Sequence, residues 1–290
     1  MIKKRIIIYL AISFGLVWVM TFLYAGCGGS YEEPAMSAVL VLSMLCPSAA
    51  VLFTRMVTKE GFSMKGNDSM MLGISLSDGK WKWYLCGLIF PILYFEFGFL
   101  LYYFIFPETF DASFSGLADL PKGMWWMLPI GGITNAWLVS FGALGEEIGW
   151  RGYLYPKLEE MFGIPKCIVL GGIIWGVWHY PAIYLGHNFG HGYWGEPFSA
   201  FIVFSIYTIG VGAVLYYLTK KTESVWPAAF MHAANNNFSS GTILSMAYSE
   251  DGISGMALES PIRLLVICIP VICVGIVAGI KLTKKQENVL

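Results

Sequence analysis

The sequence predicts an all-α membrane protein that crosses the bilayer about eight times. Of its 290 residues, 57% are hydrophobic and only 13% are charged, whereas soluble domains carry about 25% charged residues. The charges are grouped into short segments between long apolar stretches, each near the ~20 residues that a helix needs to cross a ~30 Å hydrocarbon core. Since backbone polar groups in lipid must be satisfied within their own segment, these stretches are predicted to be helices.

Eight apolar stretches follow from this pattern. They run at about 6–27, 36–54, 83–106, 123–145, 167–186, 198–219, 225–247 and 264–280. The first is longer than the 7–15-residue core of a signal peptide, so we predict an uncleaved first span. Residues 151–166 are polar enough to lie at the membrane interface as a short helix. We expect residues 1–290 to form a single integral membrane domain.

Basic residues fall almost entirely on one side of the predicted bilayer. Of the 18 Lys and Arg residues, sixteen lie in segments on the side of the N-terminus, and Lys122 and Arg263 lie on the other side. Because cytoplasmic loops carry the excess of Lys and Arg, the sequence predicts a multi-pass protein of the cell membrane with both termini in the cytoplasm. The net charge of −1 gives no reason to expect a nucleic acid partner.

Ionisable and strongly polar residues inside the predicted spans are rare, and each carries a cost of several kcal/mol. They are Glu96, Glu146, Glu147, His179, His232 and Asn235 to Asn237. Counting 1.5 Å per residue from the cytoplasmic end puts His179 roughly 18 Å deep, and His232 and Asn236 roughly 10 and 16 Å deep. These groups can therefore share the cytoplasmic half of one cavity. Glu146 ends its predicted span, so it reaches this cavity only if its helix begins late or is tilted.

Spacing along the helices separates the roles of these residues. Glu147 lies four residues before Arg151, which is the favoured order for an ion pair on a helix. Glu146 points about 100° away from Glu147 and lacks this partner, which suits a general base. His232 and Asn236 are four apart and share a face, whereas the asparagines on either side of Asn236 are predicted to bond neighbouring helices.

A carboxylate, two imidazoles and a carboxamide are the groups needed to hydrolyse an amide. Glu146 and His179 can hold and deprotonate a water molecule, while His232 and Asn236 can donate hydrogen bonds to the oxyanion that forms. Two other interpretations stay open from the residues alone: polar side chains that join helices to one another, and a pathway for ions or protons. Catalysis is the favoured interpretation.

Three short motifs stand in order along the C-terminal half. They are Glu146-Glu147-Ile-Gly-Trp-Arg151, Trp175-Gly-Val-Trp-His179 and His232-Ala-Ala-Asn-Asn236. They resemble the EExxxR, FxxxH and HxxxN motifs of the CPBP family, which comprises the type II CAAX prenyl endopeptidases and the bacteriocin-processing or self-immunity (Abi) proteins. Trp175 departs from the pattern, which has Phe there. From this departure we expect a reshaped substrate groove and unchanged chemistry.

The resemblance implies an eight-helix intramembrane endopeptidase whose site opens to the cytoplasm. Glu146 would be the base, assisted by His179, with His232 and Asn236 on the oxyanion side and Glu147 and Arg151 in support. The implied substrate is a membrane-associated peptide or protein, of the prenylated CAAX type or like a bacteriocin. The alternative is a non-catalytic immunity or scaffold protein that retains the fold.

No metal or other cofactor is expected at these residues. Asn236 is a poor zinc ligand, and the HExxH motif of zinc proteases is absent from the sequence. Two histidines and a carboxylate can in principle bind zinc, so a zinc site remains the alternative.

Overall fold

The computed structural model describes residues 1–66, 68–111, 123–239, 242–245 and 260–287. These residues are largely helical and contain no strand, which confirms the predicted all-α class. The helices are α1 (Ile2–Gly26), α2 (Pro34–Thr58), α3 (Trp81–Ile105), α4 (Met127–Gly149), α5 (Tyr155–Trp178), α6 (Tyr180–Tyr184), α7 (Phe198–Thr222), α8 (Trp226–Phe238) and α9 (Leu264–Glu287). A π-helical segment, Trp150–Leu154, joins α4 to α5, and short 3₁₀ turns cover Pro107–Thr109 and Pro261–Arg263.

Six helical stretches of the described chain are long and apolar enough to cross a membrane, judged by length and composition. Five of them correspond to α1, α2, α3, α7 and the Pro261–Gln286 stretch. The sixth, Met127–Trp178, contains both α4 and α5. The outer helices present many exposed Leu, Ile, Val and Phe side chains, and apolar surface of this extent marks contact with lipid. The chain is a multi-pass membrane protein.

α4 and α5 form one long hairpin. The helix continues beyond Glu147 through the π segment into the first two turns of α5, and the chain reverses at Gly163, whose φ of 75° and ψ of 169° favour glycine. Glu146 therefore lies eleven residues before Lys157, or roughly 16 Å along the axis. The predicted end of the fourth span at residue 145 is wrong, and so is the separate interface helix at 151–166. Glu146 lies within a helix and needs no tilt to reach the interior.

α8 differs most from its predicted span of 225–247. It has 13 residues and ends at Phe238, so it is about 20 Å long and shorter than the ~30 Å hydrocarbon core. Residues 240, 241, 246 and 247 of the predicted span lie outside the described part of the chain. Most of α8 is buried, because it packs against α3, α4 and α7. A short polar helix thus packs against three long apolar ones.

The two ends of the bundle carry different charges. We call the end at which α1 begins and α9 ends, with the 59–80 loop and the Gly163 turn, the basic end. Every described Lys and Arg lies at this end except Arg263, at the opposite end, and Arg151, which is buried inside the bundle. Lys122 lies outside the described residues. The end-to-end distribution of basic charge predicted from the sequence is therefore present in the fold.

The 59–80 loop, here the basic-end loop, is held against the bundle by buried ion pairs. The Glu60 carboxylate lies 3.1 Å from the Lys157 ammonium and 3.5 Å from the Arg5 guanidinium. Asp68 binds Lys157 at 3.1 Å through its carboxylate and accepts a 2.7 Å hydrogen bond from Arg55 at its backbone oxygen. Lys157, Arg55 and Glu60 have almost no exposed side-chain surface. This network fixes the loop across the basic end.

Candidate active site

Glu146 is positioned by the close approach of α4 to α2. A Cβ atom on Gly149 would lie 2.4 Å from the Cβ of Pro47, and one on Gly145 would lie 2.6 Å from the backbone oxygen of Met44. Only glycine permits this separation, since real Cβ atoms do not approach other heavy atoms so closely. With this face of α4 against α2, Glu146 is turned toward α5 and α8.

The two carboxylate oxygens of Glu146 have different surroundings. Oε2 accepts hydrogen bonds from the indole nitrogens of Trp150 at 3.2 Å and Trp175 at 2.9 Å. Oε1 lies 4.0 Å from Nε2 of His232, which is too long for a hydrogen bond and within the reach of one bridging water. Glu146 is 3% exposed. One oxygen is thus held in place, while the other is directed at an imidazole.

Glu147 binds both a cation and an imidazole through one oxygen. Its Oε1 lies 2.9 Å from Nη1 of Arg151, as the predicted ion pair requires, and 2.9 Å from Nδ1 of His232. A carboxylate only accepts hydrogen bonds, so Nδ1 of His232 carries the proton and Nε2 faces Glu146. The Arg151 guanidinium lies 4.0 Å from the ring centroid of Trp175, a cation–π contact. Glu147 therefore sets the orientation of His232.

His179 directly follows the last residue of α5 and is held by a hydrogen bond to that helix. Its Nδ1 lies 2.9 Å from the backbone oxygen of Trp175, so Nδ1 donates and Nε2 is left as an acceptor. Its ring packs edge-on against Trp178 and Phe204, with centroids 4.7 and 4.9 Å apart. A neutral imidazole in this tautomer can accept a hydrogen bond from water.

Asn236 and Asn235 differ in exposure although they are neighbours on α8. Asn236 is exposed, and its Oδ1 accepts a 3.4 Å hydrogen bond from Nδ2 of Asn235. Asn235 is buried, and its Oδ1 accepts hydrogen bonds from the hydroxyls of Tyr94 on α3 and Tyr207 on α7. Asn235 therefore joins three helices, as predicted.

Asn237 also bonds a neighbouring helix, in this case α4. Its Oδ1 accepts a 2.9 Å hydrogen bond from Asn135, and its Nδ2 donates to the backbone oxygen of Gly132 at 3.2 Å. The predicted structural role of Asn237 is confirmed. The three consecutive asparagines thus divide between two that join helices and one, Asn236, that lines open space.

A cavity of about 760 Å³ joins all four of the side chains that the sequence selected. Glu146, His179, His232 and Asn236 line it together with Trp175. Other lining residues include Tyr31, Glu32, His187, Asn188 and Gly190, which belong to loops at the end opposite the termini. The structure therefore contradicts the expected placement of the cavity in the half of the membrane that holds the chain termini.

The family comparison agrees with the motifs. The sequence profile of the type II CAAX prenyl endopeptidase Rce1-like family matches residues 122–238, a range that contains all three motifs. The predicted family resemblance is confirmed. A CAAX prenyl protease 2 of Methanococcus maripaludis is 26% identical over 96 residues, which make up 33% of this chain and 35% of that relative. The match thus spans about a third of the length of the curated relative.

Trp175 makes a hydrogen bond to Glu146 that the CAAX-type motif does not provide at this position. The motif has Phe there, and a phenyl ring cannot donate a hydrogen bond to Glu146. Trp150 supplies the second indole donor to Glu146 from four residues farther along the same helix. The same spacing of four residues predicts the Glu147–Arg151 ion pair. It could therefore have predicted the contact between Trp150 and Glu146 as well. For Trp175 no spacing rule applied, because its partner lies on another helix.

Two imidazoles and a carboxylate at the site are donor types that a zinc centre uses. Within the described ranges, no group of three or more His, Cys, Asp or Glu side chains lies close enough together to hold a metal ion. Catalytic zinc has three protein ligands at about 2.0–2.3 Å. Both His179 and His232 use Nδ1 as a donor to an oxygen, which leaves Nε2 of each ring as the nitrogen that can accept from water or bind a metal ion.

Glu96, the intramembrane carboxylate for which the sequence suggests no role, binds backbone amides. Its two oxygens accept hydrogen bonds from the N–H groups of Ile243 at 2.9 Å and Leu244 at 3.2 Å. Glu96 therefore anchors residues 242–245, which follow α8, to α3. This contact is structural and requires no part in a relay of protons or ions.

Proposed function

We propose that this protein is an intramembrane endopeptidase that hydrolyses a peptide bond of a membrane-associated peptide with a water molecule activated by Glu146. The observation that carries the proposal is the 4.0 Å gap between Glu146 Oε1 and His232 Nε2 inside a cavity that His179 and Asn236 also line. A carboxylate, two imidazoles and an amide around one cavity are suited to amide hydrolysis. The match to a CAAX endopeptidase family supports the same reaction.

In the proposed first step, Glu146 removes a proton from a water molecule that attacks the carbonyl carbon of the substrate. The fixed Oε2 leaves Oε1 to accept this proton, and Nε2 of His179 is a second acceptor that can orient the water. The carbon–oxygen bond forms as the carbonyl π electrons move to oxygen, which becomes an oxyanion. Positioned general bases contribute about 10²–10⁴-fold to such rates.

The oxyanion is stabilised by donors from α8. Protonated His232 donates from Nε2, and Glu147 supports its positive charge through the 2.9 Å bond to Nδ1. The Asn236 amide is the second donor, one turn along the same helix face. One such donor contributes about 3–4 kcal/mol where it has been measured. Collapse of the intermediate breaks the carbon–nitrogen bond, and Glu146 returns its proton to the leaving amine.

The proposed substrate is an apolar or lipid-modified peptide, of the prenylated CAAX or bacteriocin-like type. Besides its polar groups, the cavity is lined by apolar side chains from five helices: Val17, Leu40, Phe95, Phe204 and Ile267. The M. maripaludis relative is named a prenyl protease, which makes lipid-modified peptides the first substrates to test. The protein would act in the cell membrane, with the bilayer as its solvent, both termini in the cytoplasm and no nucleic acid partner.

The mechanism uses only the side chains of this protein, so we propose that no metal or other cofactor takes part. The test is cleavage of a library of membrane peptides, prenylated and unmodified, by purified wild type, Glu146→Ala and Glu146→Gln. Glu108→Gln, which changes an exposed glutamate outside the site, is the matched control. We expect both Glu146 variants to lose about 10²–10⁴-fold in rate, and the control and chelator-treated wild type to keep full activity.

Equal cleavage by wild type and Glu146→Ala would contradict the proposed mechanism. If no peptide is cleaved while the Glu146 variants retain the biological activity of the wild type, the result favours a non-catalytic immunity or scaffold protein. Loss of cleavage on chelation, restored by added zinc, would replace the metal-free mechanism with the zinc alternative.

A further inference from the structure

The cavity belongs to one half of the bundle. On α2 its lining residues are Leu40, Ser43 and Met44, in the first half of the helix as the chain returns from the opposite end. On α9 they are Leu264, Ile267 and Cys268, within the first two turns. The other lining residues on α1, α3 and α7 lie in the same half. The space thus runs from Glu146 and His232 to a rim at the end opposite the chain termini.

The basic end, by contrast, is closed beneath the site. Residues 68–72 of the basic-end loop cross the bundle there, and Ser69 and Met70 are 2% and 6% exposed. The backbone N–H of Val225 donates to Met71 at 2.9 Å, and the Trp226 indole donates to Leu72 at 3.2 Å. These bonds attach the loop to the beginning of α8, the helix that carries His232. None of residues 68–72 lines the cavity.

The distribution of charge decides which end faces the cytoplasm. The basic end holds all but one of the exposed or part-exposed Lys and Arg side chains of the described chain, including clusters at the start of α1 and the end of α9. A bias of this strength places the basic end in the cytoplasm. The cavity rim and its loops then lie on the other side of the membrane.

We propose that the active-site cavity opens to the extracytoplasmic side, and that its substrate is a peptide presented from that side. An exported peptide, or the outer part of a membrane-inserted peptide, has this access, whereas the C-terminus of a cytoplasmic protein does not. Of the two substrate types proposed above, the inference therefore selects the bacteriocin-like peptide over the prenylated CAAX protein. The inference rests on the proposed function for its substrate, and on the fold and the distribution of basic charge for its direction. It differs from the cytoplasmic opening that the family resemblance implies.

The charges of the side chains at the cavity rim indicate which charge the substrate peptide carries. Glu32 is the exposed carboxylate among the described lining residues. Burial lowers the pKa of His187 to about 4, so this rim histidine is neutral at pH 7. A negative entrance above an apolar cavity fits a peptide in which a basic residue adjoins an apolar stretch.

The first test measures orientation and access without using activity. Three variants each keep a single cysteine in an otherwise cysteine-free chain: natural Cys27 at the end of α1, natural Cys268 in the cavity, and Lys4→Cys at the basic end. Intact cells are treated with a small membrane-impermeant thiol reagent. We expect labelling of Cys27 and Cys268, and labelling of Lys4→Cys only after permeabilisation. Labelling of Lys4→Cys in intact cells, or protection of Cys268 there but not in inside-out vesicles, would overturn the proposal.

The second test uses cleavage. Right-side-out and inside-out membrane vesicles are given a water-soluble peptide that the detergent-solubilised protein cleaves, with Glu146→Ala vesicles as the blank. We expect cleavage by right-side-out vesicles only, and cleavage by inside-out vesicles only would refute the inference. If the solubilised protein cleaves no peptide, the proposed function fails, and the labelling experiment still decides the direction of the cavity.

Discussion

Replacing Trp175 by Phe removes one hydrogen bond from the proposed catalytic carboxylate and otherwise keeps an aromatic ring in place. The Trp175 indole donates to Glu146 Oε2 at 2.9 Å, and both side chains are buried. The hydrogen bond from the second donor, Trp150, is longer, at 3.2 Å. Without Trp175, Oε2 keeps only this weaker bond, so the carboxylate can rotate away from the position in which Oε1 faces His232.

The size of the effect follows from the strength of such bonds. A hydrogen bond to a charged group contributes about 1.5–3 kcal/mol, and each 1.4 kcal/mol corresponds to tenfold in rate. We therefore expect kcat of Trp175→Phe to fall about 10–100-fold. KM should change by less than about threefold, since the bond that is lost joins two protein side chains and does not involve substrate.

Trp178→Phe is the matched control for this substitution. Trp178 lies on the same helix, is equally buried, and uses its indole to bind the backbone oxygen of Ser13 at 3.3 Å. The substitution makes the same chemical change without removing a hydrogen bond from Glu146, in a ring that lines the same cavity and packs against His179. Both variants are assayed for peptide cleavage in detergent and for thermal unfolding, so that a loss of fold is separated from a loss of rate.

Wild-type kcat in a folded Trp175→Phe variant would refute this reasoning. That result would mean that Trp150 alone orients Glu146. The family motif, which has Phe at this position, would then be equivalent in chemistry, as the sequence-based expectation assumed. A fall in kcat of the same size in Trp178→Phe would show that the effect comes from packing and not from the hydrogen bond.

Three further predictions concern the two ends of the bundle. Burial lowers the pKa of His187 to about 4, so below pH 6.5 the unfolded chain binds more protons at this residue than the folded chain does. The thermal unfolding temperature should therefore fall as the pH is lowered from 6.5 to 4, and it should fall less in His187→Gln. Glu60→Ala leaves Lys157 with Asp68 as its one remaining carboxylate partner among the described residues, so the free energy of unfolding in detergent should fall by about 3 kcal/mol, with faster trypsin cleavage of the basic-end loop; unchanged values would contradict the buried network. Glu32→Gln should raise KM about 1.5–5-fold for a peptide with a lysine beside its apolar stretch, and a neutral analogue should show no change.

Much of the fold was predictable because hydropathy and charge report directly on burial in lipid. Each of the eight apolar stretches overlaps a helix of the structure, and the described basic residues other than Arg151 and Arg263 lie at one end of the bundle. Hydropathy failed at the fourth span for a physical reason. A helix that leaves the hydrocarbon core can continue into the polar region. Charged residues such as Lys157 and Glu159 therefore suggest a loop in the hydropathy pattern, although they lie on helix α5.

The candidate site was predictable to the extent that its contacts are local. Helical spacing predicts the Glu147–Arg151 ion pair. It also predicts that Asn235 and Asn237 bond neighbouring helices while Asn236 shares a face with His232. The bonds from Trp175 to Glu146 and from His232 to Glu147 each join two helices, and no spacing along the chain encodes them. The sequence therefore selects the polar groups, whereas packing decides which of their atoms meet.

The short length of α8 and the half-buried position of Glu96 have one explanation. A helix that ends within the membrane leaves backbone groups without partners, which is tolerated only where protein or a wet cavity satisfies them. α8 ends at Phe238; Asn236 and Ser239 line the cavity there, and Glu96 accepts the N–H groups of Ile243 and Leu244 beyond the helix end. A full-length span would fill this space with apolar side chains. The early end of α8 opens room beside His232 and Asn236, and the Glu96 carboxylate satisfies the backbone that the early end exposes.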